Sequence, residues 1–274
     1  MFSKAQTRYD GNKNDFPLNP DKQFTLLYKK TDALVLHSVK YGEQKLITHL
    51  FTRELGHVAV TVHLSQSSRG RLKKQYFQPL TLLSIETDYR EQLELQKLKD
   101  VVLLTPWTSL LTVPDKLAIG LFVAEFLYHT LRSEQQNRPL FDYVRSSLEW
   151  LDGSTEHYAN FHLVFLMRTA RFLGIRPATA HNPQHDGVGT GGSYFDLRSA
   201  TFCAEAPAHR DYLMPQEADR ISILMRMDYA TMHLFRLSRA ERNRILDVLL
   251  TYYRLHVPQF PELRSVAVLQ ELFV

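Results

Sequence analysis

The stretch that decides the architecture is Lys45-Leu-Ile-Thr-His-Leu-Phe-Thr52, followed after Leu55-Gly56 by His57-Val-Ala-Val-Thr-Val-His-Leu64. Apolar and polar residues alternate in both runs, and many of the side chains are β-branched. A period of two marks a half-buried strand, and a glycine between two such runs marks a turn. Working outward, Ala33-Leu-Val-Leu-His-Ser-Val39 precedes them across Tyr41-Gly42. Leu80-Thr-Leu-Leu-Ser-Ile-Glu-Thr87 and Leu93-Glu-Leu-Gln-Lys-Leu-Lys99 follow. Five strands within roughly 80 residues suit a small closed barrel, which leaves no long edge exposed.

Past Val113 the period becomes helical. Thr112-Val-Pro-Asp115 reads as a helix start with Pro114 in its first turn. Residues 116–132 are apolar nearly all round, broken by Glu125, His129 and Arg132 on one stripe, which predicts a central buried helix. Further helices are expected over 140–151, over 157–173 (closed by Gly174 and Pro177) and over 216–227. Ser238-Arg-Ala-Glu241 is a capping box that opens a helix to about His256, and a short helix at 265–272 follows Pro258 and Pro261. The expected organisation is therefore a disordered extension at 1–24, a barrel domain at 25–106, and an all-helical domain at 107–274 with an irregular loop insertion at 178–212.

The single cysteine, Cys203, excludes an intrachain disulfide and fits a reducing compartment. No run approaches the roughly 18 apolar residues that span a bilayer, and the first residues lack an apolar signal core, so the chain is read as cytoplasmic. The net charge of +4 is unevenly spread. Residues 25–105 hold 12 Lys and Arg against 8 Asp and Glu, whereas 106–274 hold 17 against 18. A basic first half favours polyanions.

Within that half, Ser65-Gln-Ser-Ser-Arg-Gly-Arg-Leu-Lys-Lys74 carries Arg69, Arg71, Lys73 and Lys74 and no acid. Such a loop either neutralises phosphates, releasing condensed counterions, or simply solvates its charges. Tyr76 is open to base stacking, while Phe77 reads as core. Arg168 and Arg171, three apart on one helix face, either stay solvated or receive an acidic partner beside Phe165 and Phe172. Gly187-Val-Gly-Thr-Gly-Gly192 spells a dinucleotide fingerprint but lacks the strand before it and the helix after it, so it is read as a loop. His181, His185, Asp186, Cys203 and His209 include no paired Cys-x-x-Cys spacing, so no metal is assigned to them. Asp211 and Asp219 read as helix-start acids. No catalytic motif is present, and no enzyme activity or cofactor is assigned.

Several pieces, in order, resemble the RecO family of recombination mediator and repair proteins. They are Thr31-Asp-Ala-Leu-Val-Leu-His-Ser-Val-Lys-Tyr-Gly-Glu43, the Lys45–Gly56 run, Gln78-Pro-Leu80, Phe172-Leu-Gly-Ile-Arg-Pro177, Tyr252-Tyr-Arg-Leu-His256 and Arg264-Ser-Val-Ala-Val-Leu269. The resemblance covers roughly residues 26–274. It implies an OB-fold barrel on a helical domain, sequence-independent binding of single- and double-stranded DNA, and strand annealing. It also implies partnership with RecR and with the acidic tail of single-strand-binding protein, and indirectly with RecA. The family's four-cysteine zinc site is not expected here, since Cys203 stands alone. On this reading Arg69, Arg71, Lys73 and Lys74 bind DNA, with Lys29, Lys30, Lys40 and Arg53 as extensions, and Arg168 and Arg171 bind a partner. The competing expectation is a scaffold whose basic loop holds an acidic protein.

Overall fold

The computed structural model describes residues 27–64, 74–178 and 193–272. The alternation becomes five strands: β1 (Leu27–Lys40), β2 (Lys45–Thr52), β3 (Gly56–His63), β4 (Leu82–Tyr89) and β5 (Leu95–Thr105). They close into a barrel in the order β1-β2-β3-β5-β4, antiparallel except for the parallel β3–β5 pair. The period of two sends Leu46, Leu50, Val58, Val60 and Val62 inward onto Val35, Phe77 and Ile85. β1 begins earlier than its apolar run because its first half pairs with β4 and its second with β2. β5 runs past the expected end at Lys99 because β4 pairs with it as far as Thr105. Leu80 falls outside β4: its φ is 71°, and its N–H reaches back 2.8 Å to the Val35 carbonyl.

The helices are α1 (Pro114–Thr130), α2 (Arg138–Gly153), α3 (Phe161–Phe172), α4 (Pro215–Arg226), α5 (Arg239–His256) and α6 (Val266–Gln270). The all-round apolar α1 is central, with Phe122, Val123, Phe126 and Leu127 fully buried. The capping box closes as read: Glu241 N–H donates to Ser238 Oγ at 3.2 Å and Ser238 N–H to Glu241 Oε2 at 2.9 Å. α3 starts at Phe161 rather than at 157, because His157 turns with φ 66°. The buried Asn160 amide there donates to the carbonyls of Met232 and Phe235 (3.1 and 2.9 Å). Part of the expected irregular insertion is ordered as a three-stranded sheet of β6 (Tyr194–Asp196), β7 (Thr201–Cys203) and β8 (Tyr212–Leu213), in the order β7-β6-β8.

Barrel and helices share one apolar core. Leu34, Leu36, Phe51 and Leu82 belong to the helical core rather than to the barrel interior, and the Phe51 ring lies 5.6 Å from that of Phe141. Gly56, at φ 71°, sits so close to the segment after α1 that a Cβ would lie 2.3 Å from the Glu134 carbonyl oxygen. That carbonyl accepts the His57 N–H at 2.9 Å. Around the apolar contact run Arg53 to Asp142 (2.8 and 3.1 Å), Arg138 to Glu54 (3.0 Å) and Arg145 to Asp32 (3.3 Å).

The connection between the domains is pinned to the end of α2. The Asp152 carboxylate accepts the backbone N–H groups of Thr108, Ser109 and Leu110 (3.0, 2.8 and 2.6 Å). Burial alone raises this carboxyl, but those donors outweigh it and hold the group at about 2. Beside it Lys116, 3% exposed, gives its ammonium to Ser109 Oγ (2.6 Å), the Asp152 carbonyl (2.9 Å) and the Ser154 carbonyl, and lies 5.4 Å over the Tyr158 ring.

At the seam three barrel histidines meet α1. His49 Nδ1 and His57 Nε2 are 3.2 Å apart with stacked rings, and His37 and His49 each lie 4.9 Å from Tyr128. Burial, helped by neighbouring cations, lowers His49 and takes His57 down to about 4. A base whose folded-state pKa is depressed leaves stability intact above its unfolded value and removes it as pH falls toward the folded value. A tenfold change in proton affinity is about 1.4 kcal/mol, so His57 alone withdraws on the order of 3 kcal/mol between about pH 6.5 and pH 4. Denaturant titrations across that window are expected to show the loss, and His57→Gln to flatten it.

Candidate nucleic-acid interface

Outside the seam the barrel wall presents two faces of unlike charge. Strand alternation places Lys45, Ile47 and His49 of β2, Ala59, Thr61 and His63 of β3, and Leu95 and Lys97 of β5 on one outer face. Lys45 stands opposite His63, and Thr61 stands opposite both Ile47 and Lys97. No carboxylate lies on the outer positions of β2 and β3, while Lys97, at the β5 border of the face, stands opposite Asp88 of β4. Among the described residues none lies within ion-pair distance of Lys45 or Lys97. Small Ala59 and Thr61 keep the middle of the face low, while the cations stand at its margins.

Two turns flank this face. The β1–β2 turn exposes Lys40 and Tyr41 and is closed by the Tyr41 N–H on the Lys45 carbonyl at 2.8 Å. The β4–β5 turn exposes Arg90 and is braced from below by Gln96, 2% exposed. The Gln96 amide accepts from the Arg90 N–H (2.9 Å) and donates to the Arg90 carbonyl (2.8 Å). Glu43, Glu91 and Glu94 sit in these turns, so the cationic character is strongest on the strands themselves.

The other outer face, on β1, β4 and β5, carries Asp32, Glu86, Asp88 and Asp100. Its cations are engaged: Lys30 with Glu86 at 3.2 Å and Lys99 with Asp88 at 2.6 Å. A phosphate chain must displace those carboxylates to reach the lysines of this face.

The expected cations therefore separate. Arg69, Arg71 and Lys73 lie outside the described residues. Lys74 is exposed at the start of a short 3-10 turn, Lys74–Phe77, which is tied to β1 by Ser38 Oγ on the Phe77 carbonyl at 2.8 Å. Phe77 is buried in the barrel, and Tyr76 is half-buried against the same core. Lys40 is exposed beside the acid-free face. Lys29 is half-buried opposite Thr87 at the far end of β1, and Lys30 belongs to the acidic face. Arg53 is held in the seam, where Asp142 answers its charge. Lys45 and Lys97 escaped the sequence reading because they sit inside strands. Their outward parity was the available signal.

On the helical side Arg168 and Arg171 do come together. With Arg176 they surround a pocket of about 150 Å³ whose apolar lining includes Met167, Phe172 and Met225. Phe165 is buried beneath it, and Asp228 lies 3.9 Å from Arg168. His181, His185 and Asp186 and the Gly187–Gly192 run are outside the described residues. Cys203 places its thiol 3.8 Å from the Tyr194 carbonyl, and His209 pairs with Asp196 at 3.3 Å. Among the described residues no three metal-ligating side chains converge.

Two family models match the chain: Recombination protein O N terminal over residues 26–107 and Recombination protein O C terminal over 111–265. The chain is 43% identical over 247 residues to a DNA repair protein RecO of Phocaeicola vulgatus, an alignment covering 90% of this chain and 100% of that protein. To the protein of the same description from Bacteroides fragilis it is 44% identical over 248 residues, with the same coverage. To that of Porphyromonas gingivalis it is 35% identical over 248 residues, covering 88% and 97%.

The geometry separates two kinds of cation. Lys45→Ala with Lys97→Ala is expected to elute from a heparin column at lower salt than the unaltered chain. Arg53→Ala is expected to elute with the unaltered chain but to unfold at lower denaturant.

Proposed function

The chain belongs to the RecO family of DNA repair proteins, and from that premise we propose that it is a non-enzymatic recombination mediator. It binds single- and double-stranded DNA without regard to sequence and anneals complementary strands. It also helps load recombinase onto strands coated by single-strand-binding protein. The observation that carries this reading is the acid-free outer face of β2 and β3, with Lys45 on it and Lys97 at its β5 border, neither lysine within ion-pair distance of a carboxylate among the described residues. In OB-type barrels the face of strands 2 and 3, between the β1–β2 and β4–β5 loops, is where oligonucleotides lie. Lys40 and Lys74 extend it, and Arg69, Arg71 and Lys73 adjoin Lys74 in sequence.

Phosphate contacts fix position without reading sequence, and annealing needs that: charge screened, base edges left to pair. Lys29 adds to the track only at its far end, and Lys30 and Arg53 have carboxylate partners that a phosphate must displace. The three-arginine pocket on the helical side suits an acidic peptide with an apolar end, since guanidinium groups fork onto carboxylates above an apolar floor. The acidic tail of single-strand-binding protein is the proposed occupant, and RecR and RecA complete the proposed partners. A nucleoid-associated, cytoplasmic protein follows from these partners; among the described residues no helix is long and apolar enough to cross a membrane.

Four phosphate contacts on a single strand give a log-affinity against log-salt slope of about −3. Replacing Lys40, Lys45, Lys74 and Lys97 by Ala is expected to flatten that slope in fluorescence anisotropy with oligothymidylate. An unchanged slope removes this face and leaves the acidic-partner scaffold. In parallel, Arg168→Ala with Arg171→Ala is expected to weaken an acidic peptide about tenfold, as loss of charged hydrogen bonds does; equal binding removes the pocket.

A further inference from the structure

The acid-free face does not end at the barrel. Along β2 it passes from Lys45 to His49, whose ring lies 4.9 Å from Tyr128 on α1. Just past α1 comes Arg132, exposed, with its guanidinium 5.1 Å over the Tyr128 ring and an N–H 3.3 Å from His129 Nδ1. Among the described residues no carboxylate lies within ion-pair distance of Arg132. The two acids nearby are engaged elsewhere. Glu125 accepts the N–H groups of Arg264 and Ser265 and the Ser265 hydroxyl (2.9, 2.9 and 2.5 Å). Glu134 accepts from the Asn137 amide at 2.9 Å.

An arginine positioned by stacking rather than by an ion pair keeps donors unused, and the planar fork of five N–H groups matches phosphate. It is also accessible. The His129–Arg132 turn borders an open groove of about 460 Å³ lined by Ser133, His256 and Gln259, and His129 borders a second of about 690 Å³ beside His37 and Pro79. A cation after α1 also favours the helix dipole, but that role uses charge alone and leaves the guanidinium edge available.

We propose that a single nucleic-acid strand lying on the barrel face crosses the seam between the domains and places a phosphate on Arg132. This rests on the reading of the barrel face as the DNA site and lengthens that site. Lys45 to His49 spans roughly 13 Å of strand; the two ring contacts bring the path to roughly 23 Å, or about seven phosphates of a stacked strand.

The test compares an oligothymidylate of about 25 nucleotides with one of about 4, which is too short to reach from Lys45 to Arg132. With the long probe, Arg132→Ala is expected to reduce the salt slope by about 0.7, so that a fourfold rise in salt costs about 2.6-fold less affinity than in the unaltered chain. Arg132→Lys is expected to restore the slope, which a purely structural role for the guanidinium stack does not predict. With the short probe, saturating the Lys45 end, Arg132→Ala is expected to change nothing. An unchanged slope with the long probe overturns the proposal, and so does an equal loss with both probes. If the lysine variants of the barrel face also leave the slope intact, the DNA reading itself has failed; if they flatten it, only the extension has.

Discussion

Everything in this molecule is arranged around the use of a barrel's outer wall as half of a second core. Leu34, Leu36, Phe51 and Leu82 leave the barrel interior and are buried against the helices. Burying one such side chain is worth about 1.5–3 kcal/mol. Rotating the barrel on the helical domain exposes the whole set, so the docking angle is fixed. The Gly56 contact adds a geometric stop, because no side chain fits between that turn and Glu134. Once this wall is consumed, the remaining surface is decided as well: one acid-free face on β2 and β3 that meets β5 at Lys97, and one acid-rich face on β1, β4 and β5.

The division of charge between those faces is what gives a net charge of only +4 local meaning. On the acidic face Lys30 and Lys99 bond to Glu86 and Asp88 at 3.2 and 2.6 Å, so their fields are largely cancelled. On the other face Lys45 stands opposite His63, and Lys97 stands between Thr61 and Asp88 without an ion-pair contact. A polyanion meets unpaired lysines on one side and ion-paired ones on the other, which orients its approach before contact.

Much of this was legible in the sequence. Alternation in Lys45–Thr52 and His57–Leu64 announced the barrel, the all-round apolar run after Lys116 announced a central helix, and Ser238 with Glu241 announced a helix start. The full reach of β1 and β5 was not legible, because a strand shared by two neighbours needs no apolar signal along its whole length. Nor was the sorting of the cations. Lys30, Lys40, Lys45 and Arg53 look alike in one dimension, and only strand parity and the partner across the seam separate them. The insertion looked irregular because its strands are only two or three residues long, too short to show alternation. Phe195 packs on Phe202 at 4.9 Å, and Arg198 bonds Asp211 at 2.7 Å. Arg168 and Arg171 were readable as a pair, while Arg176 joins them only once the chain has turned after Gly174.

The caged ammonium of Lys116 has a bearing on how the chain assembles. A lysine stripped of water is unfavourable until replacement oxygens are in place, and two of its three come from the last turn of α2 and the residue beyond it. Burying the first turn of the central helix without those oxygens leaves the ammonium desolvated and unmatched. The Asp152–Ser154 corner that supplies them also gathers the connecting residues 108–110. One buried cation thus couples three successive segments of the native structure: the start of the central helix, the connection before it and the end of the next helix.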